Sequence, residues 1–203
     1  PTVRYIYLTL LFAAAIYTCR PKKAKKPLVY TPRVRRQLLT TAILYMTAPI
    51  VGVCTHSFDA ALITAVAYFL LIPLLTMAAG AINRPIEKAI SNGFINDAKR
   101  ILKSMPDMKI IGVTGSYGKT SVKYCLTTLL KAKYNVLMTP GSFNTPMGVV
   151  RTIREHLRPT HEIFVCEMGA RHVGDIREIC DIVHPHDGII TSIGPQHLET
   201  FHT

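Results

Sequence analysis

The stretch that decides the fold is Val113-Thr-Gly-Ser-Tyr-Gly-Lys-Thr120. It follows a short apolar run, residues 109–113, that predicts a β-strand, and it precedes a helical pattern over residues 120–132. A glycine-rich turn between a strand and a helix can aim several backbone N–H groups at phosphate oxygens, and the helix N-terminus adds partial positive charge. The sequence therefore predicts a turn that binds nucleotide phosphates.

The second half of this stretch fits the P-loop pattern, whereas Val113 stands where that pattern has its first glycine. In this interpretation Lys119 reaches the terminal phosphates and the Thr120 hydroxyl binds the accompanying magnesium ion. The alternatives are a plain strand-to-helix turn with its lysine in solvent and, for Thr120, a helix cap, which is compatible with metal binding. The predicted nucleotide contacts are Gly115, Ser116, Tyr117, Gly118, Lys119, Thr120 and Ser121.

Beyond this turn, short apolar runs alternate with helical patterns. Such alternation predicts an α/β fold with a mostly parallel sheet and flanking helices. Ligands of such sheets bind beyond the carboxyl ends of the strands, so we expect the four loops there to converge on one cleft. The predicted strands are 109–113, 135–139, 162–167 and 187–193, and the predicted helices are 120–132, 146–157 and 174–183.

Glu167 ends the third apolar run, residues 163–166. A carboxylate buried there without a partner would cost a few kcal/mol, so the position calls for a compensating group. A metal ion is one candidate. A salt bridge to Arg171, or a cap on the following turn, is the other.

The remaining polar residues of these loops have two interpretations each. His197 is either a metal ligand or an ordinary polar surface residue. Asn144 and Thr145 are either substrate contacts or turn residues before a helix that starts at Pro146. Exposed charges and a helix N-cap are alternatives to a role in the site for three residues of the third loop, Arg171, His172 and Asp175.

Charge is distributed unevenly along the chain. Residues 1–109 hold 15 Lys/Arg and 4 Asp/Glu, a net charge of +11, whereas residues 110–203 hold 9 and 8, a net charge of +1. Eight basic side chains lie within residues 20–36 without an acidic residue among them. Because long apolar segments flank this basic stretch, it favours a membrane surface over nucleic acid, and no nucleic-acid partner is predicted.

Those apolar segments are long enough to suggest membrane helices, which need about 20 apolar residues. They predict a transmembrane anchor over residues 1–83, and the basic loop 20–37 places the following domain in the cytoplasm. A multi-pass protein of the cell membrane, in contact with lipid, is therefore predicted, with core helices of an ordinary α-domain as the alternative. The predicted spans are 3–19, 38–55 and 60–82, followed by an amphipathic connector, 84–107, with a break near Gly93.

Four stretches taken together resemble the central ATPase domain of the Mur ligase family: Thr114–Thr120, Asn144–Val149, Glu167–Ile176 and Ser192–Phe201. The resemblance covers residues 108–201 and is specific as a set. It implies ATP-dependent amide formation, in which the γ-phosphoryl group moves to a substrate carboxylate and an amine attacks the acyl phosphate. It also implies that ATP and Mg²⁺ are cofactors, that Lys119 and His197 are catalytic, and that Thr120, Glu167 and His197 hold the metal.

Within this family, the Glu-Met-Gly-Ala and His-Leu-Glu elements are similar to those of members that add D-alanyl-D-alanine to a UDP-MurNAc-peptide in peptidoglycan synthesis. The loop at Asn144 and Thr145 would then face the substrate. Such ligases carry further substrate and adenine-binding parts outside residues 108–203, so we expect this piece alone to be inactive. The alternatives are a similar ligase of the folylpolyglutamate or cyanophycin type, or a membrane-bound scaffold that senses ATP.

Overall fold

A computed structural model of the chain describes residue 17 and residues 29–54, 66–68, 70–195 and 198–201. The chain divides into two compact units, residues 1–83 and residues 84–203. The predicted membrane span 3–19 lies outside the described residues, apart from residue 17. Half of the basic loop 20–37, residues 20–28, lies outside them too.

The first unit contains helix α1 (Pro32–Cys54) and the beginning of helix α2 (Ile72–Lys103). A proline at the first helical position and the Thr31 hydroxyl, which accepts a 3.3 Å hydrogen bond from the N–H of Val34, fix the start of α1. The buried side chain of Asn83 joins the two helices, because its Nδ2 donates to Gln37 Oε1 at 3.3 Å and to Thr40 Oγ1 at 3.1 Å.

The predicted multi-pass membrane localisation is wrong. Among the residues that the structure describes, none belongs to a helix with the length and apolar character needed to cross a bilayer. Helix α1 begins within the predicted basic loop and carries Arg33, Arg35 and Arg36 in its first turns. Helix α2 passes through the predicted membrane exit at residue 82 without interruption. This finding overturns the predicted multi-pass membrane localisation and leaves the proposed lipid contact without support.

Most of the predicted amphipathic connector 84–107 is helical, as its apolar spacing indicates, and continues helix α2, but no break occurs at Gly93. Apolar residues recur at helical spacing along this part of α2. Ile95, Ala98, Ile101 and Leu102 pack in the core of the second unit. At the surface, Asp97 pairs with Arg154 at 2.8 Å and with Arg100 at 2.7 Å. The guanidinium of Arg154 also lies 4.4 Å from the ring centre of Phe94.

The second unit confirms the predicted α/β fold. Its four strands form one parallel sheet in the order β2-β3-β1-β4. The strands are β1 (Lys109–Thr114), β2 (Val136–Met138), β3 (Ile163–Glu167) and β4 (Asp187–Ile190). The helices are α3 (Lys119–Leu130), α4 (Pro146–His156), α5 (Asp175–Val183) and α6 (Leu198–Phe201).

Two apolar clusters lie on opposite faces of this sheet. Phe164 and Cys166 of β3 belong to the cluster that contains residues of α2, α4 and α5. Ile163 and Val165 belong to the other, against which α3 packs. Because side chains alternate along a strand, Glu167 falls on the α3 face with Ile163 and Val165. The alternation of side chains along β3 thereby places the Glu167 carboxylate beneath helix α3.

Candidate functional site

The turn between β1 and α3 has the local geometry expected of a phosphate-binding loop. Gly115 and Gly118 have positive φ angles of 135° and 78°. A Cβ on Gly115 would lie 2.3 Å from Thr191 Oγ1, so only glycine fits there. Gly118 is the N-cap of α3 and supplies no side-chain cap, which leaves the first-turn N–H groups of the helix to an anion.

Lys119, the first residue of α3, lies across this loop. Its Nζ donates to the carbonyl oxygens of Gly115 at 2.6 Å and of Ser116 at 3.1 Å. The side chain is partly exposed and lines the cleft described below. These two hydrogen bonds hold the ammonium group against the glycine-rich loop, beside the cleft. This geometry is compatible with the predicted phosphate contact.

The loop after β4 braces the phosphate-binding loop. The N–H of Ser116 donates to the carbonyl of Ser192 at 2.6 Å, and the N–H of Tyr117 donates to Ser192 Oγ at 3.1 Å. Ser116 Oγ also donates to the carbonyl of Gly194 at 2.9 Å. Two of the backbone N–H groups predicted for phosphate are therefore engaged by Ser192. Ser121 is exposed on the first turns of α3.

Glu167 lies at the end of β3 with only 1% of its side chain exposed, and its ion-pair partner is Lys123. Lys123 Nζ lies 2.9 Å from Glu167 Oε2 and is itself fully buried. The salt bridge to Arg171, which was one alternative for Glu167, is not the one that forms. Lys123 was absent from the sequence-based site. The signal that could have identified it is its spacing, since it follows Lys119 by four residues on the same face of α3.

Two further side chains hold the Glu167 carboxylate. Thr120 Oγ1 lies 3.1 Å from both carboxylate oxygens, and Asn144 Nδ2 donates to Oε1 at 3.3 Å. The backbone N–H of Glu167 donates to Thr139 Oγ1 at 3.1 Å. Helix α3 and the loop after β2 therefore supply the partners of one buried carboxylate.

The donor set of Thr120 and Glu167 fits a magnesium ion. Magnesium prefers hard oxygen ligands in octahedral geometry at about 2.0–2.1 Å, which places adjacent ligands about 2.9 Å apart. The 3.1 Å separation of Thr120 Oγ1 and the Glu167 oxygens matches that spacing. Within the described part of the chain, no group of three or more His, Cys, Asp or Glu could hold a metal ion. His197, the remaining predicted ligand, lies outside the described residues.

The predicted substrate residues lie at the start of α4. Thr145 is its N-cap, with Pro146 at the first helical position, and the Thr145 hydroxyl accepts a 3.3 Å hydrogen bond from the N–H of Gly148. Asn144 packs tightly on Gly169, where a Cβ would lie 2.8 Å from Asn144 Cγ. Both residues thus have the structural roles considered as alternatives, and both also line the cleft.

Asp175 organises the third loop. Its Oδ2 accepts hydrogen bonds from the backbone N–H groups of Arg171 at 2.7 Å and His172 at 2.9 Å. These two hydrogen bonds lower the pKa of the Asp175 carboxyl. The N-cap of α5 is Gly174, and Asp175 is the first residue of the helix. Its carboxylate therefore holds the preceding loop through these two hydrogen bonds.

The four strand-end loops converge on one cleft, as the sequence predicts. The cleft has a volume of about 740 Å³ and opens at the carboxyl ends of the strands. The first loop contributes Gly115, Ser116 and Lys119, and the second contributes Asn144 and Thr145. The third and fourth contribute Gly169, Ala170, Arg171, Ser192, Ile193, Gly194 and Pro195.

Comparison with known proteins agrees with this geometry. Residues 113–203 match the model of the Mur ligase middle domain. The chain is 35% identical over 96 residues to a UDP-N-acetylmuramoyl-tripeptide–D-alanyl-D-alanine ligase of Treponema pallidum, covering 47% of this chain and 21% of that protein. It is 40% identical over 89 residues to the ligase of the same name from Synechocystis, covering 44% and 19%. The chain therefore spans about a fifth of the length of these curated relatives.

Solved structures give the same result. A crystal structure of MurF ligase from Thermotoga maritima in complex with ADP has a TM-score of 0.53 and 37% identity, over 56% of this chain and 26% of that chain. A crystal structure of MurF from Acinetobacter baumannii has a TM-score of 0.53 and 34% identity, over 56% and 25%. From Val113 onward, this chain is therefore similar to the middle domain of the Mur ligases.

Proposed function

We propose that this chain is part of an ATP-dependent ligase that adds D-alanyl-D-alanine to UDP-N-acetylmuramoyl-tripeptide in peptidoglycan precursor synthesis. The observation that carries the proposal is a P-loop lysine and a helix N-terminus at one cleft, with the Thr120 hydroxyl of the same helix 3.1 Å from the buried Glu167 carboxylate. The names of the similar proteins support the choice of substrates. The Thermotoga maritima structure with ADP supports ATP as the nucleotide.

The reaction transfers the γ-phosphoryl group of ATP to a substrate carboxylate and releases ADP. The amine of the incoming dipeptide then attacks the acyl phosphate, forms the amide bond and releases inorganic phosphate. In such reactions the protein mainly positions the reactants and neutralises charge. Lys119 and the first-turn N–H groups of α3 would bind the β- and γ-phosphates.

Thr120 and Glu167 are the residues of this chain that would hold magnesium, whose positive charge neutralises the transferring phosphoryl group when it is bound. Asn144 supports this arrangement through its hydrogen bond to Glu167. On the other side of the cleft, Arg171 provides an exposed cation on a loop that Asp175 holds in place. The anionic substrate would therefore enter between the second and third loops.

The proposal is tested by product formation with the full-length protein. Purified protein is given ATP, Mg²⁺, UDP-MurNAc-tripeptide and D-alanyl-D-alanine, and phosphate release is followed together with the mass of the peptide product. We expect one phosphate per dipeptide added, and no product when the dipeptide is omitted. Product with L-glutamate in place of the dipeptide would instead indicate a ligase for another acceptor. Nucleotide binding without product from either amine would contradict the ligase assignment.

A further inference from the structure

We propose that Lys123 is a positioning residue of the nucleotide site, which sets the place of the Glu167 carboxylate without contacting the nucleotide. The inference rests on the proposed function, because it assigns a residue to the same reaction. It starts from an unusual observation, namely a lysine with no exposed surface on a helix whose N-terminus opens into the cleft. Lysine is almost never fully buried unless it is paired.

The hydrogen bonds of Lys123 account for all three donors of an ammonium group. Nζ lies 2.9 Å from Glu167 Oε2 and donates to the carbonyl oxygen of Thr139 at 2.9 Å. Its third acceptor is the carbonyl oxygen of Gly141. Lys123 is therefore saturated by protein acceptors, in contrast to Lys119, which is partly exposed at the cleft.

The contacts of Lys123 fix one of the two carboxylate oxygens. Lys123 holds Oε2, Asn144 holds Oε1, and Thr120 lies at the same 3.1 Å distance from both. Each carboxylate oxygen thus has its own partner, and both oxygens lie at the same distance from the Thr120 hydroxyl. Since Thr120 and Glu167 are the proposed magnesium ligands, Lys123 contributes, together with Asn144, to the separation of these two ligands.

Lys123 also joins three parts of the second unit: helix α3, the loop after β2 and the end of β3. It belongs to α3, which starts at the phosphate-binding loop, its carbonyl acceptors lie after β2, and Glu167 ends β3. A misplacement of about 1 Å in such a site can cost roughly 100-fold in rate. Groups that orient metal ligands typically change metal affinity by roughly 10- to 100-fold when they are removed.

The test measures ATP binding by the full-length protein at a series of magnesium concentrations, using titration calorimetry. Lys123→Met removes the ammonium group and keeps most of the side-chain volume. Lys131→Met, at the exposed end of the same helix, is the matched control. We expect Lys123→Met to raise the half-saturating magnesium concentration roughly 10-fold or more, and Lys131→Met to leave it unchanged. Unchanged magnesium dependence in a folded Lys123→Met protein would overturn the inference.

A second comparison covers the case in which Lys123→Met does not fold. Removing both members of a buried ion pair is far better tolerated than removing one, so Lys123→Met/Glu167→Gln should fold. If Lys123 acts through Glu167, this double variant should have the same half-saturating magnesium concentration as Glu167→Gln alone, within about 2-fold. A further rise of roughly 10-fold would show a separate role for Lys123 and overturn the inference.

These outcomes separate the inference from the proposed function. If the wild-type protein forms the peptide product but Lys123→Met keeps the wild-type magnesium dependence, only the inference about Lys123 is refuted. If ATP binding depends on magnesium but no product forms, the ligase assignment is refuted, and the Lys123 variants still test the role of Lys123. A wild-type protein that binds no ATP removes both.

Discussion

Thr120 Oγ1 lies 3.1 Å from each of the two carboxylate oxygens of Glu167. The two residues come from different elements, since Thr120 is on the first turn of α3 and Glu167 ends β3. The parallel pairing of β1 with β3 sets them side by side, because Val113 is opposite Glu167 in the sheet. The hydroxyl and the carboxylate are thus brought together by the sheet register, at the end of the sheet where ligands bind.

The Thr120 hydroxyl is predicted to be required for magnesium-dependent nucleotide binding. Thr120→Val keeps the shape of the side chain and removes the oxygen, so we expect the half-saturating magnesium concentration to rise roughly 10-fold. Thr120→Ser keeps the oxygen and is the matched control, with an expected change of less than about 3-fold. Equal magnesium dependence of the two variants in titration calorimetry would argue against Thr120 as a ligand.

Gly115→Ala is predicted to destabilise the second unit. Position 115 has a φ of 135°, and a Cβ there would lie 2.3 Å from Thr191 Oγ1 and 2.9 Å from the carbonyl oxygen of Ser192. Strain and overpacking together should lower the free energy of unfolding by about 2 kcal/mol or more. Denaturant unfolding measures the loss.

The control for this substitution is Gly93→Ala in helix α2, where no heavy atom lies within 4 Å of the added Cβ. Alanine favours a helix over glycine by roughly 0.5–1 kcal/mol, so this variant should be more stable than the wild type. If Gly115→Ala were as stable as Gly93→Ala, the described turn geometry would be incorrect.

Gly169→Ala is predicted to displace Asn144 from Glu167. The added Cβ would lie 2.8 Å from Asn144 Cγ and 2.9 Å from its Nδ2, the atom that donates to Glu167. We expect a loss of about 1–3 kcal/mol in the free energy of unfolding. Gly188→Ala on β4, with nothing within 4 Å, should change stability by less than about 0.5 kcal/mol. A wild-type melting temperature for Gly169→Ala would contradict this packing.

Asp175 is predicted to make the third loop sensitive to acid. The N–H groups of Arg171 and His172 lower the pKa of Asp175 in the folded protein, so its stabilising contribution is fully present above the unfolded pKa of about 3.9. That contribution is lost as the pH falls through the lower, folded pKa. Asp175→Asn should therefore be less stable than the wild type at pH 7, and the difference should shrink towards pH 2. A difference independent of pH would exclude the charge as its cause.

Much of the second unit was predictable from its sequence. The apolar runs and helical patterns identified all four strands and the helices between them, because alternating βα elements have few ways to pack. The convergence of the four loops followed from parallel strand order. The partner of Glu167 did not follow, because burial of Lys123 depends on how α3 lies over β3, which local pattern does not encode.

For the first unit, the membrane localisation predicted from hydropathy was wrong. Hydropathy along residues 38–55 and 60–82 predicted membrane spans, since run length alone does not distinguish a bilayer from a packed helix pair. The structure places helix α2 through the predicted exit, and it joins the helices through buried Asn83 and the side chains of Gln37 and Thr40. Such polar contacts between helices depend on their mutual register, which hydropathy averages conceal.

Lys119 and the turn before it are proposed to bind the phosphates of ATP. The most direct measurement is ATP affinity of the full-length protein at saturating magnesium, compared between wild type, Lys119→Ala and the exposed control Lys131→Ala. Charged hydrogen bonds of about 1.5–3 kcal/mol predict a loss of roughly 10- to 100-fold for Lys119→Ala and wild-type affinity for Lys131→Ala. Equal ATP affinity in all three proteins would contradict a role of Lys119 in phosphate binding.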